Sequence, residues 1–527
     1  VRAVPGRLVL AIDQGTTGTT VLAVGEDGAV RAQVYAAHAQ YFPAPGLVEH
    51  DGEEIWSNCV QLLGGAVHEA GGSWADVAAL GITNQRETTL LWERASGELV
   101  APVIVWQDRR SEGICRRLAA AGAGSLVAER CGLVLDPYFS ATKLAWLFES
   151  SGELRARAEA GELCFGTVDS FLLWRLSGGA RHITDVTNAS RTALMDLRRL
   201  AWDPELCELF GVPAAVLPEI VPSIGPAAET APGVLASAGG GAGAADGGGN
   251  GGWRAIPIAG VLGDQQAALF AQGCRRPGQA KNTYGTGSFV LAHAGSAPPT
   301  EASGLLSTVA SGVASAGPAP ASGGLSAEYA LEGAIFSTGA AVQWLRDGLG
   351  VLSSAAESEQ LAASLEDNDD VWFVPALTGL GAPFWDPAAR GTLLGVTRGT
   401  TRAHLARAVL ESIAYRTRDV LEAMAAAGRP VSELRVDGGA TANAWLMQFQ
   451  ADVAGVPVDV AAVQESTALG VAFAAGLGSG VWDEGDELAG LRRSRAVFEP
   501  RWPAGEADAR YARWRQAVER SRGWSSS

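Results

Sequence analysis

The sequence predicts an α/β protein made of two like halves. Two observations carry that expectation. A strand, a Gly-Thr turn and a second strand open the chain at residues 8–24, and the same device returns at residues 280–292. Between and after the two hairpins, short apolar β-favouring runs alternate with helical patterns.

The first hairpin reads as LVLAI at 8–12, then Asp13-Gln14-Gly15-Thr16-Thr17-Gly18, then TTVLAV at 19–24. Residues 77–83 (VAALGIT) form the next strand and end at Asn84-Gln85-Arg86-Glu87-Thr88-Thr89, followed by Leu90-Leu91-Trp92. Residues 258–262 are a strand leading into Gly263-Asp264, and residues 265–272 read as a helix. The second hairpin turns at Gly285-Thr286-Gly287-Ser288. Leu434 to Asp437 is a strand that meets Gly438-Gly439 and then a helix from about 443 to 454. Strand ends that give way to Gly-rich turns and helices are where α/β proteins bind ligands. Residues 236–252 and 310–325 are nearly all small residues and are expected to be flexible loops.

Composition narrows the function. The chain has 527 residues and a formal charge of −17, which repels phosphate backbones and argues against a nucleic-acid partner. No apolar run approaches the roughly 18 residues a membrane span needs, and the N-terminal stretch makes a poor signal peptide, so a cytoplasmic location without integral membrane association is expected. The six cysteines form no C-x-x-C pair and the six histidines no metal-ligand spacing, so buried thiols and no zinc are expected. The only lysines are Lys143 and Lys281, and neither completes G-x-x-x-x-G-K-[ST]. A Walker A loop is therefore absent, and any ATP must be held by another phosphate device.

The Gly-Thr turns are candidates for that device. Successive backbone N–H groups and the hydroxyls of Thr16 and Thr17 can cradle phosphate oxygens, and Gly15 and Gly18 allow close approach. Asp13 would hold Mg2+ through water, because Mg2+ gives up its hydration reluctantly. Each turn alone is equally readable as an ordinary hairpin. Gly438-Gly439 with Asn443 either receives a flat base or simply starts a capped helix. Asp264 is either a general base or a helix cap. Arg86 beside Glu87 offers the donor and acceptor pair that a neutral polyol needs, or else an exposed ion pair. Trp106, Tyr138 and Phe289 could cover a carbon skeleton or belong to the core.

Taken together, the strings AIDQGTTGTT, GITNQRETT, VIVWQ, GLVLDPYFSATK, TDVTNASRT, GDQQAALFAQ, KNTYGTGSF, PALTGLGAPFWDP and VDGGATAN resemble the FGGY carbohydrate kinase family, its glycerol-phosphorylating members in particular. They run in family order from about Leu8 to Gly478. The resemblance implies a two-lobed actin-like (ribonuclease H-like) ATPase fold with duplicated domains and the active site in an interlobe cleft. We place the first lobe at 7–273 and the second at 274–510. It implies ATP and Mg2+ as cofactors, glycerol as acceptor, and sn-glycerol 3-phosphate and ADP as products. By motif match, Arg86, Glu87, Tyr138 and Asp264 would contact glycerol, with Gln265, Trp106 and Phe289 beside them. Thr16, Thr17, Gly18, Thr286, Gly339, Gln343, Gly439 and Asn443 would contact the nucleotide. Asp264 would be the general base, and Asp13 and Asp264 would face the metal. A homodimer or homotetramer is the family's usual assembly.

Three departures stand out. Family members commonly carry Arg where this chain has Thr20. The region where some members bind fructose 1,6-bisphosphate is here a long Gly/Ala run ending at Trp253-Arg254. No His lies between His182 and His293, so a histidine-phosphorylation switch is expected to be missing. The rival readings are another kinase of the family acting on xylulose or erythritol, an actin-like ATPase without an acceptor, and a silent regulator.

Overall fold

The computed structural model describes residues 6–236, 254–299, 303–315, 324–463, 465–483 and 492–525. Two compact units emerge. One comprises Val1–Ala271, Thr308–Tyr329 and Thr467–Leu491, and the other Gln272–Ser307, Ala330–Ser466 and Arg492–Ser527.

In the first unit the Leu8–Gln14 strand is central. It pairs antiparallel with Gly18–Gly25, which pairs antiparallel with Val30–Ala37. On its other side it runs parallel to Val77–Asn84, which runs parallel to Pro257–Gly263. Ile224–Glu229 then adds antiparallel. The Leu8–Gln14 and Val77–Asn84 strands are almost wholly buried, as near-continuous apolar strands covered on both faces should be. The Gly52–Glu69 helix is opened by the Asp51 carboxylate, which accepts from the N–H groups of Glu53 and Glu54, and packs against the hairpin. The 467–478 stretch of the Ser466–Gly478 helix lies close on the parallel strands. A Cβ on Gly81 would come within 2.6 Å of the Val471 carbonyl, and one on Gly260 within 2.4 Å of the Ala475 nitrogen. Small residues at that seam let backbone meet backbone.

The second unit repeats the plan. Gln279–Tyr284 is central and pairs antiparallel with Ser288–Gly295, beside which lies Leu325–Ile335. It runs parallel to Glu433–Gly438, which runs parallel to Val458–Ala461, and Ser494–Phe498 closes the order antiparallel. The duplication predicted from the two Gly-Thr turns is thus a duplication of strand order. The 25-residue Arg402–Ala426 helix is the spine of this unit, with Tyr415 stacked on Trp514 at 5.4 Å between ring centroids.

One expectation needs correction. Residues 310–325 were expected to be loop, but Leu306–Ala314 and Leu325–Ile335 are strands. The small side chains there serve close packing: a Cβ on Gly312 would sit 2.4 Å from Val186. The remainder of that segment, 316–323, and nearly all of 236–252 lie outside the described residues.

Candidate active site

The site begins where three adjacent parallel strands of the first unit end together. Register aligns Gln14 with Asn84 and Asn84 with Gly263, so Asp13, the Gln85–Thr89 turn and Asp264 emerge at one carboxyl edge. Beneath it, Asn84 and Asn188 exchange side-chain hydrogen bonds at 3.1 Å, and the Gly263 N–H donates to the Thr187 hydroxyl at 2.9 Å. Thr187 and Asn188 are in turn held by the buried Asp185 carboxylate. Burial raises the Asp185 carboxyl above the usual carboxylate range, and burial beside Asp185 pushes Asp169 up to about 7. This polar foundation was not foreseen from the sequence.

The turn itself is strained. Glu87 has φ 62°, an uncommon conformation for a residue with a side chain, and the Thr88 N–H closes over it onto the Arg86 carbonyl at 2.7 Å. The strain places two side chains side by side in the interior. Arg86 Nε lies 3.1 Å from Asp264 Oδ1, and Arg86 Nη1 donates to Gln266 Oε1 at 3.2 Å. Glu87 Oε1 accepts from Arg191 Nε at 2.6 Å. Arg86 and Glu87 are almost fully buried, whereas the Asp264 side chain keeps 28% exposure. Arg86 and Glu87 are therefore not an exposed ion pair. Asp264 opens its helix, and its Oδ1 also accepts the Gln265 N–H at 2.7 Å. Gln265 follows, buried.

An aromatic wall stands beside them. The Trp106 and Tyr138 rings meet edge to face at 5.5 Å, and the Arg191 guanidinium lies 5.7 Å from the Tyr138 ring centre. The loop carrying Tyr138 is held by a wholly buried lysine. Lys143 Nζ donates to the carbonyls of Pro137 and Tyr138 at 2.6 and 2.7 Å. Burial pushes its ammonium down to about 8 although Glu87, Asp108 and Asp136 pull the other way. Phe289 belongs to the second unit, on the Ser288–Gly295 strand.

The first Gly-Thr turn closes through the Gly15 N–H, which donates to the Gly18 carbonyl at 2.9 Å. Thr16 is half-buried and Thr17 exposed. Gly18 has a local reason of its own, since a Cβ there would meet the Ala36 carbonyl at 2.6 Å. Thr20 sits opposite Asp13 and Tyr35 in the strand register. The oxygen-only character of Asp13 and Asp264 suits a hard cation such as Mg2+ bound in part through water. Among the described residues no group of three or more His, Cys, Asp or Glu is arranged to hold a metal.

The second unit shows the corresponding turn. The Gly285 N–H donates to the Gly287 carbonyl at 2.8 Å, and the N–H groups of Gly339 and Ala340 donate to the carbonyls of Gly285 and Thr286 at 3.0 Å. Thr286 is exposed, as is Gln343 at the end of the Gly339–Gln343 helix. A Cβ on Gly339 would lie 2.6 Å from the Gly285 carbonyl, so the glycine lets helix and turn touch. Gly438, with φ 90°, is likewise demanded by the fold because a Cβ would strike the Tyr284 carbonyl at 2.2 Å. Gly439 is different: a Cβ there meets nothing within 4 Å. The fold does not require glycine at that exposed position. Asn443 caps the next helix, its Oδ1 accepting the Leu446 N–H at 2.8 Å.

Sequence reasoning missed Arg191, Lys143, Gln85 and Thr88. All four lie inside motif strings, but Arg191 meets Glu87 across 104 positions and Gln85 meets Gln14 across 71. All six cysteines are free and buried, and burial pushes the Cys59, Cys115 and Cys131 thiols up to about 12. No helix among the described residues is long and apolar enough to cross a membrane.

Comparison with known proteins agrees with this architecture. Residues 8–271 match the N-terminal domain of the FGGY family of carbohydrate kinases and residues 280–479 its C-terminal domain. Glycerol kinase from Bordetella parapertussis is 52% identical over 518 residues, 98% of this chain and 97% of that protein. Glycerol kinase from Trichlorobacter lovleyi is 52% identical over 519 residues, 98% of this chain and 99% of that protein. The crystal structure of Plasmodium falciparum glycerol kinase with ADP superposes with a TM-score of 0.89 at 32% identity, covering 99% of each chain. A ligand-bound xylulose kinase from Lactobacillus acidophilus superposes at 0.83 with 20% identity over 98% of this chain and 99% of that one, a likeness of fold alone.

Proposed function

The chain belongs to the FGGY family of carbohydrate kinases, and on that premise we propose that it transfers the γ-phosphoryl group of ATP to a terminal hydroxyl of glycerol, giving sn-glycerol 3-phosphate and ADP. Nearly full-length identity of 52% to proteins named glycerol kinase supports the choice of acceptor. The observation that carries it is the Arg86–Glu87 turn. It presents a buried donor fork and a buried carboxylate side by side, next to the Trp106–Tyr138 wall. A neutral triol can pair its hydroxyls with both charges while its carbons lie on the rings. Analogues that leave a buried group unpaired are rejected.

Arg86, Glu87 and Tyr138 hold the triol, with Gln265, Trp106 and Phe289 around it. Asp264, oriented by Arg86, accepts the proton of the attacking hydroxyl as its oxygen bonds the γ-phosphorus and the bond to the β,γ-bridging oxygen breaks. Positioning and charge stabilisation carry most of the rate in such transfers. Thr16, Thr17 and Gly18 of one turn and Thr286, Gly339 and Gln343 around the other bind the phosphates, and Gly439 and Asn443 border the nucleoside. Asp13 and Asp264 would hold Mg2+, which would supply charge neutralisation at the phosphates. The free, buried thiols suit the reducing cytoplasm.

The test is ADP formation by the full-length protein with ATP, Mg2+ and a panel of glycerol, erythritol and xylulose. The expected result is the highest kcat/KM with glycerol and release of glycerol phosphate. Preference for another polyol, or ATP turnover independent of any acceptor, would overturn the proposal.

A further inference from the structure

Five side-chain hydrogen bonds close a circuit within the first unit that none of the assigned contacts requires. Its hub is the wholly buried Thr88 hydroxyl, which donates to Gln85 Oε1 at 2.9 Å and accepts the Trp106 backbone N–H at 3.2 Å. Gln85 Nε2 in turn reaches Gln14 Oε1 at 3.1 Å and the Gly15 carbonyl at 3.2 Å. From the other side, Trp106 Nε1 donates to Thr16 Oγ1 at 2.9 Å. Both arms therefore end on the first Gly-Thr turn, and both start at the residue after Glu87.

We propose that Thr88 is a positioning residue that ties the acceptor pocket to the phosphate turn, so that glycerol and ATP bind cooperatively; the inference rests on the glycerol-phosphorylating reading. The donor directions favour it. Thr16 Oγ1 accepts from Trp106, which leaves its own O–H to donate to a phosphate oxygen. The Trp106 ring that makes this bond is also the wall that meets Tyr138. A triol lying on that wall fixes the indole, and the indole fixes the Thr16 hydroxyl. Along the other arm, Gln85 holds the Gly15 carbonyl and so the Gly15–Thr16 peptide, the one that carries the Thr16 N–H. A chain of hydrogen bonds out of water is mutually reinforcing, and breaking its hub removes an acceptor of the Trp106 N–H and the Thr88 donor to the Gln85 side-chain carbonyl.

Thr88→Val keeps the side-chain volume and removes the hub, and Thr88→Ser keeps the hydroxyl. The measurement is calorimetric binding of a non-hydrolysable ATP analogue with Mg2+, with and without saturating glycerol, on the full-length protein. In the wild type and in Thr88→Ser, glycerol is expected to tighten the analogue about five-fold or more, the lower end of ordinary coupling between sites. In Thr88→Val that ratio is expected to fall to within about two-fold of one. Should Thr88→Val not accumulate as folded protein, Trp106→Phe makes the same test, since it deletes the donor to Thr16 and keeps an aromatic wall. A wild-type ratio of one, or a variant that keeps the wild-type ratio, overturns the inference while production of glycerol phosphate still stands. If the wild type makes no glycerol phosphate, the reading beneath it fails and the inference falls with it.

Discussion

Arg191 donates from Nε to Oε1 of Glu87 at 2.6 Å, and both side chains are buried to within 1%. The same guanidinium lies 5.7 and 5.4 Å from the ring centres of Tyr138 and Phe139. One cation thus positions both the carboxylate and an aromatic side of the proposed acceptor pocket.

Arg191→Leu leaves the Glu87 carboxylate short of a buried partner, and breaking such a pair costs about 3–5 kcal/mol. Urea unfolding is expected to show a loss of that order, and the KM for glycerol is expected to rise. Arg191→Lys restores the charge but not the planar fork over the rings, so recovery is expected to be partial. A double Glu87→Leu, Arg191→Leu variant is expected to regain stability without regaining affinity for glycerol. Recovery of both would remove Glu87 from the acceptor site.

Asp264→Asn keeps the side-chain shape and removes the base. The kcat is expected to fall by roughly 10²–10⁴, the usual weight of a general base. Nucleotide binding measured separately should change little. A kcat within a few-fold of wild type would show that Asp264 is not the proton acceptor.

Gly339→Ala drives a methyl to within 2.6 Å of the Gly285 carbonyl and displaces the Gly285–Gly287 turn. The KM for ATP is expected to rise about ten-fold, equivalent to roughly 1.4 kcal/mol of lost binding, while the KM for glycerol stays within a few-fold. An unchanged KM for ATP would separate that turn from the nucleotide.

Acid stability is expected to depend on the histidine pair behind the first turn. His38 and His50 face each other at 4.6 Å between ring centres, and burial with His38 nearby pushes His50 down to about 3 from an ordinary 6.5. The folded-state value is depressed, so between about 3 and 6.5 the unfolded chain binds a proton that the folded chain does not. The contribution to stability is complete above 6.5 and is lost as pH falls toward 3. At pH 5 the loss from His50 alone is about 2 kcal/mol. Unfolding free energies at pH 7 and pH 5 for wild type and His50→Gln check it. The variant is expected to lose less on acidification, and an equal loss would show that His50 does not drive it.

Much of the site was legible because its parts are local. The Gly-Thr turns need glycine and short hydroxyl residues in consecutive positions, and a run of apolar β-formers before them marks a strand end. Arg86, Glu87 and Asp264 were therefore placed at strand ends by pattern alone, and their aligned register is what puts them on one edge. The flexible-loop expectation at 310–325 failed at its ends for a similar reason in reverse. Small residues chosen for tight packing, such as Gly312 against Val186, look the same in sequence as residues chosen for freedom.

By itself the sequence determined the α/β alternation, the duplicated hairpin and the residue types available for phosphate and polyol chemistry. These follow from turn stereochemistry and side-chain periodicity, which act over a few residues. Only the tertiary structure decided which charge meets which. Arg191 reaches Glu87 across 104 positions and Trp106 reaches Thr16 across 90. Such pairings are set by how strands and helices pack and by the cost of leaving a buried polar group unpaired, and no local pattern records them.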